Sequence, residues 1–249
     1  MRTANPALNS KTFDTFGITY AADDVMSIQG TVNKAALLLF LVLIAAAWTW
    51  SLYYTSDTPD AVMPWMIGGA IGGFIVAIVT VFKKNWAGMT APIYCLLEGL
   101  FLGGISSILE AQFHGIVIQA VGLTFGTLLC LLVAYKTGAI RATENFKLGV
   151  VAATGGIMVV YLITFLLGLF GVHQVSFIHG SGLIGIGFSL FVIVIAALNL
   201  VLDFDFIESG ARSRAPKYME WYSAFGLMIT LIWLYIEILR LLVKLRSRD

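Results

Sequence analysis

Asn199-Leu-Val-Leu-Asp-Phe-Asp-Phe-Ile-Glu208 closes an apolar run that begins at Leu183. From Leu183 to Leu202 the run is long enough to cross about 30 Å of hydrocarbon as a helix, yet it ends on Asp203 and Asp205. A charged side chain at membrane depth costs roughly 2.5–3.5 kcal/mol on insertion scales, so an intramembrane acid faces a cavity or a partner. The rest of the chain is read as the scaffold that gives these acids a place.

Composition points the same way. Of 249 residues, 59% are hydrophobic and only 12% charged, against about 25% charged in an ordinary soluble domain. So few charges could not cover the surface of a soluble protein of this length. The chain is read as an all-α, single-domain integral membrane protein. A net charge of +1 supplies no field to gather nucleic acid, and no such partner is expected.

Residues 1–31 are polar and mixed, without the basic and apolar sequence of a signal peptide, and are expected to lie on the surface. Seven apolar stretches of membrane-crossing length follow, over Val32–Tyr54, Pro64–Phe82, Ala91–Leu109, Ile116–Tyr135, Leu148–Gly171, Ser181–Phe206 and Trp221–Val243. Their short connections make consecutive spans antiparallel neighbours in a helical bundle. The expected layout is a polar tail over 1–31, a seven-helix membrane domain over 32–243 and a basic tail over 244–249.

Loop charges give the orientation. Arg2, Lys11 and Lys34 lie before or within the start of span one. Lys83 and Lys84 follow span two, Lys136, Arg141 and Lys147 follow span four, and Arg212, Arg214 and Lys217 follow span six. The alternate loops hold Asp57, Asp60, Glu110, His173 and His179 and no Lys or Arg. Positive charge stays on the cytoplasmic side, so the N-terminus is expected inside. Seven spans then put Arg240, Lys244, Arg246 and Arg248 toward the outside, against the bias. Either the last segment is re-entrant, or the earlier loops have already fixed the topology. Earlier helices dominate orientation, which favours seven full spans.

Gly69 and Gly73, and likewise Gly99 and Gly103, form G-x-x-x-G pairs, and span five carries Gly149, Gly155 and Gly156. Small residues at that spacing let helices approach closely, and packing within the bundle is the plainer reading than a dimer face. Cys95 and Cys130 lie in apolar segments and read as inert small hydrophobes. His114, His173 and His179 have no metal-ligand spacing.

Four acids fall within spans: Glu98, Asp203, Asp205 and Glu237. Asp203 and Asp205 are about 200° apart around a helix, so only one can face the interior. Asp203 is the deeper, and Asp205 and Glu208 are expected to reach the headgroups. At 1.5 Å per residue, Glu98 lies about 12 Å and Asp203 roughly 6 Å from the inner ends of their spans, so they can share a level. Glu237, about 25 Å along span seven, would lie near the outer surface, where it can pair with Arg240 at i,i+3. Carboxylates sharing a low-dielectric pocket titrate as a unit and can act as a pH-dependent latch. Oxygen ligands also suit Ca²⁺, which prefers six to eight of them. Asp203 and Glu98 alone make a weak transit site, as permeation requires. The plain alternative is that each acid is protonated and bonds a neighbouring helix.

Enzyme signatures are missing: there is no H-E-x-x-H, no G-x-S-x-G and no phosphate loop. An intramembrane aspartyl protease needs its acids on two neighbouring helices in a Y-D or G-x-G-D setting, and Leu-Asp-Phe-Asp-Phe (202–206) matches neither. The protein is read as a non-enzyme without a cofactor.

The span order, Glu98-Gly-Leu-Phe-Leu-Gly103, Val201-Leu-Asp-Phe-Asp-Phe-Ile207, Ala224–Leu242, Asn5-Pro6-Ala-Leu8 and Met219-Glu-Trp-Tyr222 together resemble the Bax inhibitor-1-like (transmembrane Bax inhibitor motif) family, most closely its bacterial branch. The resemblance implies a seven-helix fold with a central last helix, and a pH-sensitive calcium leak latched by two aspartates. By position, the family's Asp-Thr-Gln-x-Ile motif falls on Asp203–Ile207, so Asp203 takes the first aspartate's place. The second falls on Thr230, which cannot titrate, while Glu98 matches the acidic position of span three. The expectation is a titrating pair of Glu98 and Asp203 with Thr230 as neutral partner. Glu237, on the same face two turns beyond Thr230, is a second candidate for the missing charge.

The reading is a Ca²⁺ leak channel gated by protons in a bacterial inner (plasma) membrane, in contact with lipid. The alternative is a non-conducting interaction protein that modulates a membrane partner, such as a protease. Proton-coupled transport of a small solute is a third reading.

Overall fold

The computed structural model describes residues 25–56, 58–170, 180 and 182–248. They form seven long helices: α1 (Ile28–Thr55), α2 (Met63–Phe82), α3 (Ala87–Gln112), α4 (Ile116–Lys136), α5 (Glu144–Leu169), α6 (Leu183–Arg212) and α7 (Met219–Arg246). One-turn 3₁₀ segments, Pro59–Val62 and Lys84–Trp86, lead into α2 and α3. Among the described residues there is no strand, only a single antiparallel bridge between Val25 and Pro216. All seven helices are long and apolar enough to cross a membrane, and α7 is the most buried of them.

The helices outrun the apolar stretches at their polar ends. Ser27 caps α1 by accepting from Gly30 N, and Thr143 caps α5 by accepting from Phe146 N, satisfying backbone donors at each start. Two expected boundaries therefore move. The polar tail does not extend to residue 31, because Met26 and Thr31 are buried and α1 begins at Ile28. The basic tail does not begin at 244, because Lys244 is a buried residue of α7. Hydropathy marks the hydrocarbon-crossing part of a helix, whereas capping and polar side-chain contacts decide where it ends. Residues 1–24, His173 and His179 lie outside the described residues.

The chain forms two compact units. One holds α1–α3 with the α6 end from Asp205 and the α7 start to Ile229. Here the glycine pairs do the packing. A Cβ on Gly69 would collide with the Leu97 carbonyl, and one on Gly73 with the Glu98 carboxyl, so α2 lies directly on α3. On another face of α3, a Cβ on Gly99 would sit 2.5 Å from the Val42 carbonyl, and one on Gly103 would collide with Thr49 Oγ1 and Ala46 O on α1. Both G-x-x-x-G pairs are thus spent inside the unit on close backbone approach. The glycines of α5 differ: Gly149, Gly155 and Gly156 have nothing within 4 Å of a Cβ.

The other unit holds α4, α5, α6 up to Phe204 and α7 from Thr230. Its apolar core is Ile157, Val192 and Ile195, packed by Ala153, Tyr161, Phe188 and Trp233. Asn199 ties α6 to α5 by donating to Thr154 Oγ1 at 2.8 Å. Large apolar side chains stay exposed on several helices, among them Phe40, Ile71, Phe74, Phe82, Leu162 and Phe165. Exposed apolar surface on this scale, on helices whose backbone groups are satisfied internally, is the face that lipid covers.

Candidate functional site

Asp203 sits in α6 among Leu200, Val201, Leu202 and Phe204, all buried, and is itself 1% exposed. The Thr230 hydroxyl of α7 hydrogen-bonds its carboxyl. Oδ2 has no hydrogen-bond partner among the described residues. A buried carboxyl with one oxygen engaged and the other not is poised to hold either a proton or a cation there.

That contact is one tier of a polar seam. Thr230, Glu237 and Lys244 stand seven residues apart on α7, and seven residues fall only about 20° short of two helical turns. Ser189, Ala196 and Asp203 have the same spacing on α6. Thr230 bonds Asp203 at one end of the seam, and at the other Lys244 Nζ donates to Ser189 Oγ at 2.9 Å and to Gly185 O at 3.0 Å. These contacts fix an antiparallel register that sets Glu237 opposite Ala196. Successive tiers are about 10 Å apart along the helix.

Ala196 is too small to answer a carboxylate, and Glu237, 1% exposed, finds its partners elsewhere. Tyr161 on α5 donates to Glu237 Oε1 at 2.9 Å. Arg240 Nη1 lies 2.9 Å from Oε1 and 3.1 Å from Oε2, and donates to Tyr161 Oη at 2.8 Å. The guanidinium also stands over the Tyr161 ring, 5.3 Å from its centroid. The expected i,i+3 pairing with Arg240 is present, and the Glu237 carboxylate is enclosed by protein. The Tyr161 hydroxyl brings α5 over the Glu237 carboxylate, while Arg240 keeps an exposed side.

The remaining sequence candidates lie in the α1–α3 unit. Glu98 is half-buried on α3 with its carboxyl against Gly73, and has no hydrogen-bond or ion-pair partner among the described residues. Asp205 is half-buried near the end of α6, and Glu208 pairs with exposed Arg212. Among the described residues, no three His, Cys, Asp or Glu side chains gather as a metal site. Asp203 and Glu98, the pair read as a weak Ca²⁺ site, belong to different units. Cys95 and Cys130 are unpaired, and His114 is exposed.

Sequence reading missed three partners. Tyr161 and Ser189 carry no charge to draw notice, although the heptad spacing of Thr230, Glu237 and Lys244 was visible. The third is Glu220, wholly buried at the start of α7, which accepts from Ser27 N and Oγ at 2.9 Å each and pairs with Lys34 and Lys217.

The Bax inhibitor 1 like family matches residues 5–247. No curated protein and no solved structure matches the chain. With nearly its whole length matched and seven helices of spanning length, this multi-pass integral membrane protein belongs to the Bax inhibitor 1 like family.

Proposed function

We propose that the protein is a pH-sensitive calcium (cation) leak channel, gated by protonation of buried carboxylates and working in a bacterial inner (plasma) membrane. The observation that supports this reading is the Asp203 carboxyl, buried on a membrane-crossing helix, with Thr230 on one oxygen and no partner on Oδ2. An ionised Asp203 offers that oxygen to a cation as an acceptor. A protonated one offers a donor instead, and the attraction for a cation is gone. Protons and Ca²⁺ thereby compete for one atom. Glu98, with a half-buried carboxyl on Gly73, is the second titrating group of the proposal, and Asp205 stands nearer the α6 end. No enzymatic activity and no cofactor is part of the reading.

The test is calcium flux into liposomes holding purified protein, measured across a pH series for wild type and Asp203→Asn. The amide cannot change charge, so the pH dependence is expected to flatten. A leak with an unaltered pH profile in Asp203→Asn rejects the gate. Absence of flux from wild type favours the alternative, a non-conducting protein that modulates a membrane partner such as a protease.

A further inference from the structure

The middle tier of the α6–α7 seam holds a second buried carboxylate that the Asp203 gate does not use. Its surroundings amount to a cation position. Three oxygens, Glu237 Oε1, Glu237 Oε2 and Tyr161 Oη, converge within 3.1 Å of a single atom, Arg240 Nη1. A buried acid needs such a counter-charge, since an uncompensated ion at membrane depth is costly. The Tyr161 ring adds a π face beneath the charge. What fills the position is a side chain with a way out: the Arg240 side chain is 38% exposed, while Glu237 is buried. Six residues separate Arg240 from the end of α7, and its long stem can carry the head group toward the boundary.

We infer that Glu237 and Tyr161 form a cation-binding site on the leak path, which the chain fills with the guanidinium of its own Arg240. The inference rests on the leak reading and deepens it, because a tethered cation in the seam must be displaced before another can pass. The charges around the site define what it takes. Glu237 contributes one negative charge, while Lys244, one tier along, is within electrostatic reach of both Glu237 and Arg240. With one acid and a second fixed cation nearby, the site suits a monovalent cation resting there. A divalent ion passes without lodging, having too few oxygens to replace its water.

The probe is the head group itself. Arg240→Ala removes the tether and leaves Glu237 and Tyr161, and guanidinium chloride at low millimolar concentration supplies the missing ion. Two readouts separate the site from the leak. In detergent, guanidinium is expected to raise the melting temperature of Arg240→Ala by a few degrees, and to do nothing of the kind in wild type or in Arg240→Ala/Glu237→Gln. In liposomes, Arg240→Ala is expected to leak several-fold faster than wild type, with guanidinium restoring the slower rate only while Glu237 is present. A melting response that does not depend on Glu237 overturns the site, whether or not the protein leaks. A Glu237-dependent melting response beside unchanged flux removes the site from the leak path. Silence of wild type and all variants in the flux assay rejects the leak reading itself. Should Arg240→Ala fail to fold, Tyr161→Phe loosens the guanidinium without emptying the site. It is expected to leak faster than wild type, and an unchanged rate counts against the inference.

Discussion

Thr230 on α7 holds one oxygen of Asp203 on α6, at the position where the family resemblance puts a second aspartate. A hydroxyl can satisfy half of a buried carboxyl but cannot share its proton load. This makes Asp203 the one titrating member of that contact. Thr230→Asp is therefore expected to convert it into a coupled pair, whose protons come off in two linked steps. Under the proposed calcium leak, flux through Thr230→Asp should vary more steeply with pH than flux through wild type. Thr230→Val, which keeps the shape and loses the donor, should lower stability by about 1–3 kcal/mol. Flux against pH and thermal melting read the two effects separately. A Thr230→Asp profile that superimposes on wild type rejects the contact as the place where the gate titrates.

Glycines in different helices should respond in opposite directions. A methyl group on Gly103 would run into Thr49 Oγ1 and the Ala46 carbonyl, and backbone cannot step aside as a flexible side chain can. Gly103→Ala is expected to cost about 1–3 kcal/mol, the usual range for overpacking. Gly155 in α5 has nothing within 4 Å of a Cβ. Gly155→Ala should be neutral or stabilise by up to about 1 kcal/mol, because alanine is the better helix former. Melting curves of the two variants side by side decide the matter, and equal shifts would show that α3 does not lie against α1 as closely as described.

These cases show what a linear pattern carries. The seven helices were legible because a bilayer imposes a length and a polarity that few other constraints mimic. The G-x-x-x-G pairs of α2 and α3 were legible as packing faces, whereas Gly149, Gly155 and Gly156 of α5 lack that spacing and, among the described residues, have nothing within 4 Å of a Cβ. Asp203 stood out because an acid in an apolar run is costly. The fate of Glu237 did not follow from its place in α7. It depended on Tyr161, 76 positions away, whose hydroxyl has no charge to mark it. The helices run a few residues past their apolar parts at Ile28 and Lys244, because the Ser27 cap starts α1 early and Lys244 is held by hydrogen bonds to Gly185 O and Ser189 Oγ.

The charges at the C-terminal end of α7 bear on topology. Arg240 is engaged by Glu237 and Tyr161, and Lys244 is buried on Gly185 and Ser189, so neither is a loop charge available to set orientation. Arg246 and Arg248 remain exposed at the end of the described chain. With seven crossings, Lys83 and Arg248 should face opposite sides, Lys83 inside and Arg248 outside. In a background with Cys95→Ala and Cys130→Ser, a membrane-impermeant maleimide is expected to label Arg248→Cys from outside intact cells. Lys83→Cys should be labelled only once the cells are opened. Labelling of both from one side would mean that α7 does not cross.

Glu220 fastens the start of α1 to the start of α7. It accepts from Ser27 N and Ser27 Oγ at 2.9 Å and pairs with Lys34, while Met26 N donates to Ala215 O at 2.6 Å beside the Val25–Pro216 bridge. A Cβ on Gly30 would collide with the Glu220 carboxylate, so a larger residue at position 30 would have to push that carboxylate off its partners. In Glu220→Gln the amide nitrogen faces a donor, either the Lys34 ammonium or the Ser27 groups, and one of those contacts is lost. Breaking a buried pair by removing one partner costs roughly 3–5 kcal/mol. Lys34 retains 19% exposure, which lets water answer its charge and brings the expected loss toward the low end of that range. Lys217→Gln is the control: its ammonium is 51% exposed and 3.5 Å from Oε1, so its removal should change stability by less than about 0.5 kcal/mol. Hydrogen exchange locates the effect. The Ser27 and Met26 amides should exchange faster in Glu220→Gln, while amides in the middle of α1 stay protected. Uniformly faster exchange along α1 would show that Glu220 supports the whole helix, and unchanged exchange at Ser27 would show that the fastening does not depend on this carboxylate.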